Sequence, residues 1–221
     1  MRTARTVYCS TFQLLKNLIT MHTRMLALFE PDTPDIEAEL EKRLAPFHIE
    51  KEVAPYKKYI DAAHLKLWSD THKTGSDLYA LRDKLRALGN TREIDIDAHG
   101  LYEITTFNSH GHWDYWTYGE DLLEKNHAGL GAFFGQHRQR WGDELCRHLC
   151  PLALLPADIQ PGAILTSDGQ WHDLMDHGWR MTNQQYAPEK NAEPLAQWKK
   201  KVSALFKQYN HTLALLLDCH S

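Results

Sequence analysis

The chain has 221 residues, 43% apolar and 24% charged, with a formal net charge of −4, as expected of an ordinary globular protein. That balance excludes a general attraction to nucleic acid, although a local basic face remains open, and no run of 18 apolar residues is present to span a membrane. The cysteines, Cys9, Cys146, Cys150 and Cys219, are too few and too irregular for a disulfide framework, so a reduced, cytoplasmic setting is expected.

The first twenty residues, MRTARTVYCSTFQLLKNLIT, carry Arg2, Arg5 and Lys16 and no acid. Gln13, Lys16 and Asn17 interrupt the apolar stretch too often for a secretory signal. Residues 1–20 therefore read as an extension ahead of a natural start at Met21, or as a flexible or helical arm. Residues 21–221 read as a single α+β domain with insertions at 48–99 and 108–160.

Arg24–Phe29 is a short apolar run, read as a buried strand. A helix follows, with Thr33 as N-cap, Pro34 at the first helical position and Ile36, Leu40 and Leu44 on one face. Pro46 in LAPF ends it. Residues 60–71 and 76–88 read as a helical hairpin broken at Gly75, and 100–107 as a strand. Residues 122–141 read as a glycine-weakened helix and 142–162 as a connecting loop. Next come a strand, an Asp168-Gly169 turn and a short return strand. Asn191 is placed as the cap of an amphipathic helix bearing Leu195, Trp198, Val202, Leu205, Phe206 and Tyr209. The last strand is 212–218. The core order, strand-helix-strand twice over, predicts a ferredoxin-like antiparallel sheet with two helices packed on one face and long, largely helical insertions. That topology puts the last strand at an edge, although Leu213–Leu217 reads as buried on both faces.

Four clusters carry candidate chemistry. In the terminal Asp218-Cys219-His220, alternation puts Asp218 and His220 on one face, where a carboxylate can orient an imidazole base; the alternative is a strand end anchored by backbone hydrogen bonds. In HGHWD, His110 and His112 are candidate ligands for a divalent metal beside Asp114, and Trp113 and Trp116 stand next to them as a packed satellite core or a stacking surface. The stretch DGQWHDLMDHGW offers Asp168, Trp171, His172, Asp173, Asp176, His177 and Trp179 as a pocket wall, although Asp168-Gly169 also explains itself as hairpin chemistry. Cys146, His148 and Cys150 form an incomplete zinc set. No phosphate-binding loop, dinucleotide fingerprint, zinc-protease helix or nucleophile elbow is present.

The islands LAPF, HWDYW, TSDGQWH…GW and a terminal DCH, in that order, resemble an uncharacterised family of small proteins of tailed bacteriophages and prophages. The stretch YGEDLLEK departs from that family's pattern: Gly119 remains, but the second glycine, the arginine and the tryptophan are missing. The family's paired Cys-x-x-Cys knuckles are reduced to Cys146 and Cys150. The resemblance implies an accessory protein acting inside a bacterial host. The first expectation is a binding module, without cofactor, for a host or phage protein or a nucleic acid and not for a membrane. Its contacts would come from Trp113, Asp114, Trp116, Asp168, Trp171, His177 and Trp179. The alternative is a small hydrolase of phosphodiesters or nucleotides, with or without a divalent metal, in which Asp218 orients His220 or His172 as general base.

Overall fold

The computed structural model describes residues 22–88, 93–124, 129–156, 159–177 and 188–220. In chain order the elements are β1 (His22–Phe29), α1 (Ile36–Leu44), β2 (Tyr56–Tyr59), α2 (Ala62–His72), α3 (Leu78–Ala87), β3 (Ile94–Asp97), β4 (Gly100–Thr105) and β5 (Tyr115–Tyr118). They continue with α4 (Leu130–Trp141), α5 (Asp143–Arg147), β6 (Leu149–Pro151), β7 (Ala163–Leu165), β8 (Trp171–Asp173), α6 (Pro188–Gln208) and β9 (Leu213–His220). None of the described helices is long and apolar enough to cross a membrane.

The chain divides into two compact units, 1–48 with 112–221, and 49–111. The expected insertion at 48–99 is thus longer at its far end and takes the strand at 100 with it. In the smaller unit, β4 pairs antiparallel with β2 on one side and β3 on the other. Leu81 and Leu85 of α3 close over Ile94 and Leu101, with Leu65 and Trp68 of α2 packed against them. Strand β4 is therefore not part of the sheet that holds β1, as the ferredoxin-like expectation required.

The larger unit holds a six-stranded sheet in the order β5-β9-β1-β7-β8, with β6 also on β9. It is mixed rather than wholly antiparallel: β1 runs antiparallel to β9 over His22–Phe29 but parallel to β7. Nor is β9 an edge. It has β1 along one side and both β5 and β6 along the other.

The two helices expected on one face lie on opposite faces. Met25, Ala27 and Phe29 of β1 and Leu213, Leu215 and Leu217 of β9 pack with Ile36, Leu40 and Leu44 of α1. The intervening Leu26, Leu28, Ala214 and Leu216 pack with Trp198, Leu205 and Tyr209 of α6. Side chains alternate across a strand, so a strand covered on both sides has no position left for a polar residue. The unbroken apolar run of β9 is that requirement written into the sequence. At about 1.5–3 kcal/mol for each fully buried leucine, this strand is a main source of stability.

Local chemistry corrects three boundaries. Asp35, not Thr33, caps α1, its carboxylate accepting from the Ala38 N–H at 2.9 Å. Helix α6 begins at Pro188, so residue 191 lies inside it rather than at its cap. The predicted loop at 142–162 contains α5 and β6.

Arg43 joins α1 to the sheet. One Nη donates to the carbonyls of Leu28 at 2.7 Å and Thr166 at 3.0 Å. Its guanidinium carbon lies 4.2 Å from the centre of the Phe29 ring, and Glu39 stands 3.4 Å from Nε.

Candidate functional site

The site lies at the end of the larger sheet where β1 begins and β9 ends. Strand β1 leaves this end, α1 returns to it, and the turn Ala45–Phe47 carries the chain to His48. Residues 112–114 then run past the same place: the His112 N–H donates to the Phe47 carbonyl at 2.7 Å, and Trp113 bridges to His48. Trp113 is anchored by its Nε1–H, which donates to the Leu44 carbonyl at 3.0 Å.

Two histidine-carboxylate pairs form here. His112 Nδ1 lies 3.1 Å from Asp173 Oδ2, and the same oxygen accepts from Trp171 Nε1 at 2.9 Å. The other oxygen of Asp173 accepts from the Asp176 N–H at 3.1 Å. The imidazole stacks on the Trp171 indole, centroids 4.9 Å apart and planes within 13°, with Phe47 against both. Asp173 is buried, whereas the His112 side chain keeps 30% of its surface exposed. Burial pushes the Asp173 carboxyl up, but the hydrogen bonds from His112 and Trp171 outweigh it and hold the group below the ordinary carboxylate value. With Nδ1–H given to the carboxylate, His112 Nε2 carries the lone pair, and it makes no hydrogen bond within the described residues.

The second pair joins His220 Nδ1 to Asp114 Oδ1 at 2.8 Å. The Asp114 N–H also donates to the His220 carbonyl at 3.0 Å, and the Tyr115 ring stacks on His220 at 4.5 Å. His48 Nε2 donates to the Asp114 carbonyl at 2.9 Å. His112 and Asp114 are two residues apart, so their Cα atoms are separated by about 7 Å at most.

The three islands HGHWD, QWHD and DCH therefore meet, but through other partners than expected. Asp114, not Asp218, holds His220. Asp218 sits opposite Arg24 and Thr117 and lines a recess of about 450 Å³ with Glu120 and Arg24, which pair with each other. His172 does not reach His220. It is level with Ile164, Leu26 and Leu216, three strands across and four residues along, or roughly 20 Å away. It lies on the face covered by α6, where burial and then the charge of Lys201 lower its pKa.

Asp168 behaves as a turn anchor. Its carboxylate accepts from Thr166 and from Tyr209 at 3.1 Å, while Gly169 adopts φ +82°. Trp116 packs against the α1-side core. His177 closes a short turn at Leu174–His177, its side chain outside the described set, and Trp179 lies outside the described residues. His110 falls in the 49–111 unit, where its N–H donates to Asn108 Oδ1 at 3.1 Å. His112 gives its Nδ1 to Asp173, and among the described residues no group of three or more metal-ligating side chains is arranged for an ion.

No family model, curated protein or solved structure matches the chain. Phe47 entered the sequence reading only as the last residue of LAPF, and His48, which follows it, was not picked out. Asp173 was one acid among several until its burial set it apart.

Two predictions arise here. Cys219 points into the α1-side core, Sγ 3.8 Å from Met25 Sδ, and burial pushes its thiol up to about 12. Cys150 is likewise pushed up to about 12 by burial. The native protein is expected to leave both unmodified by iodoacetamide at neutral pH, with full alkylation after unfolding, as read by mass spectrometry; native labelling of Cys219 would contradict its placement. The Asp173 pKa is depressed by folding, so its contribution is complete above the ordinary carboxylate value and is lost as pH falls through the lower, folded value. Urea midpoints at neutral pH and below about pH 4 should therefore differ less in Asp173→Asn than in wild type. An equal difference would show that Asp173 is not a linked group.

Proposed function

We propose that the protein is a small hydrolase of phosphodiesters or nucleotides, working by general acid–base chemistry at this end of the sheet. One observation carries the reading: the stretch from His112 to Asp114 supplies a member to each of two histidine-carboxylate pairs, completed by Asp173 and His220. Hydrolysis of a phosphodiester requires a proton to leave the attacking water and another to reach the departing oxygen. His112, held by Asp173 with Nε2 open, suits the first task. His220, held by Asp114, suits the second. Cys219 is buried with its thiol raised, so water rather than this thiol is the attacking group.

The resemblance to phage and prophage proteins supports an accessory role in an infected bacterium. The direct test is turnover of bis(p-nitrophenyl) phosphate and of cyclic and linear dinucleotides, with Asp173→Asn as the matched control. Turnover lost in the control supports the reading, and no turnover of any of them by wild type counts against it. A second reading, a module that engages a host or phage protein or a nucleic acid, draws on the exposed Lys199, Lys200 and Lys207 of α6.

A further inference from the structure

An open groove of about 580 Å³ along helix α6 has the part-buried Val202 and Phe206 as its floor, the exposed Lys199, Ser203 and Lys207 along its rim, and Asn210 just past the helix end. Spacings of three and four residues put these side chains on one helix face. Val202 and Phe206 pack inward against the core cluster on that side of the sheet but stay only partly buried. The rim is positive in a chain of net charge −4, and no acid occurs among its described lining residues. Neither rim lysine pairs with a carboxylate within the described residues.

We infer that this groove docks an acidic amphipathic helix of a partner protein. Apolar side chains of that helix cover Val202 and Phe206, and its carboxylates reach Lys199 and Lys207, the charge pattern fixing register and orientation. A nucleic-acid strand fits the same surface less well. Two lysines offer a short basic path, and beside the aliphatic Val202 the floor offers the one part-exposed ring of Phe206 rather than a row of rings for successive bases. The inference is independent of the acid–base site.

The test uses the full chain and a fluorescein-labelled helical peptide with leucines on one face and glutamates on the other, read by fluorescence anisotropy. Saturable binding is expected. It should weaken roughly tenfold in Lys199→Glu/Lys207→Glu and by a similar factor when glutamine replaces the peptide's glutamates. Ser203→Trp, which adds bulk at an exposed position in the groove, should also weaken it, with thermal melting confirming that each variant folds. The inference is overturned if no saturable binding appears up to about 1 mM peptide, or if the double variant binds as wild type does. It is equally overturned if a single-stranded DNA oligonucleotide binds more tightly than the peptide and loses that affinity in the double variant, which would assign the lysines to nucleic acid.

Discussion

His112→Ala is expected to lower turnover of a phosphodiester substrate by about 10²- to 10⁴-fold, the usual worth of a positioned proton acceptor. The loss should fall on kcat more than on KM, because His112 offers its lone pair to a reacting proton rather than binding energy to the ground state. The same change removes one of the groups that bond to the buried Asp173 carboxylate, although Trp171 Nε1 and the Asp176 N–H remain. A stability cost of about 1–2 kcal/mol is therefore expected, which leaves the fold intact and the kinetic loss interpretable. Asp173→Asn should give a large share of that kinetic loss, because an amide no longer fixes which imidazole nitrogen carries the proton. If His112→Ala retained wild-type turnover, His112 would not be the base.

Arg43→Ala is expected to produce the largest loss of stability. The side chain is only 8% exposed, and its removal takes away the donor to the Leu28 carbonyl and one of two donors to the Thr166 carbonyl, which keeps the Gly169 N–H at 2.9 Å. A buried acceptor left without its donor, here the Leu28 carbonyl, costs about 1–3 kcal/mol, and the emptied volume beside Phe29 adds to that. A total of about 2–4 kcal/mol should be read as a lower urea midpoint with little change in slope. Arg43→Lys should recover only part of it, since one ammonium cannot reproduce the fork of the guanidinium. A midpoint within about 0.5 kcal/mol of wild type would mean the carbonyls find other donors.

Much of the site was legible in sequence, but its pairing was not. HGHWD, QWHD and DCH stood out because reactive side chains cluster in each, and they do converge. Which carboxylate meets which imidazole depends on strand register, and one residue of slip moves a side chain to the other face. Asp173 and His172 are neighbours in sequence yet lie on opposite faces, so choosing His172 selected the wrong face of β8. The helix placement failed for a related reason. Amphipathic patterns mark the buried stripe of α1 and of α6 but not the side of the sheet each covers. The decisive clue was the unbroken run Leu213–Leu217, whose burial on both faces requires a helix on each. Strands β2 and β3 escaped notice because YKKY and IDID lack the apolar content of a buried strand; β4 supplies the pairing that makes them strands.

The proposed division of labour, His112 as base and His220 as acid at one end of the sheet, is put to the test by the pH dependence of kcat/KM for phosphodiester hydrolysis in wild type, His112→Ala and His220→Ala. A bell-shaped wild-type profile is expected. Its acid limb disappears with His112, which must be neutral to accept a proton, and its alkaline limb disappears with His220, which must be protonated to donate one. A wild-type profile with a single limb, or an unchanged bell in either variant, would contradict it.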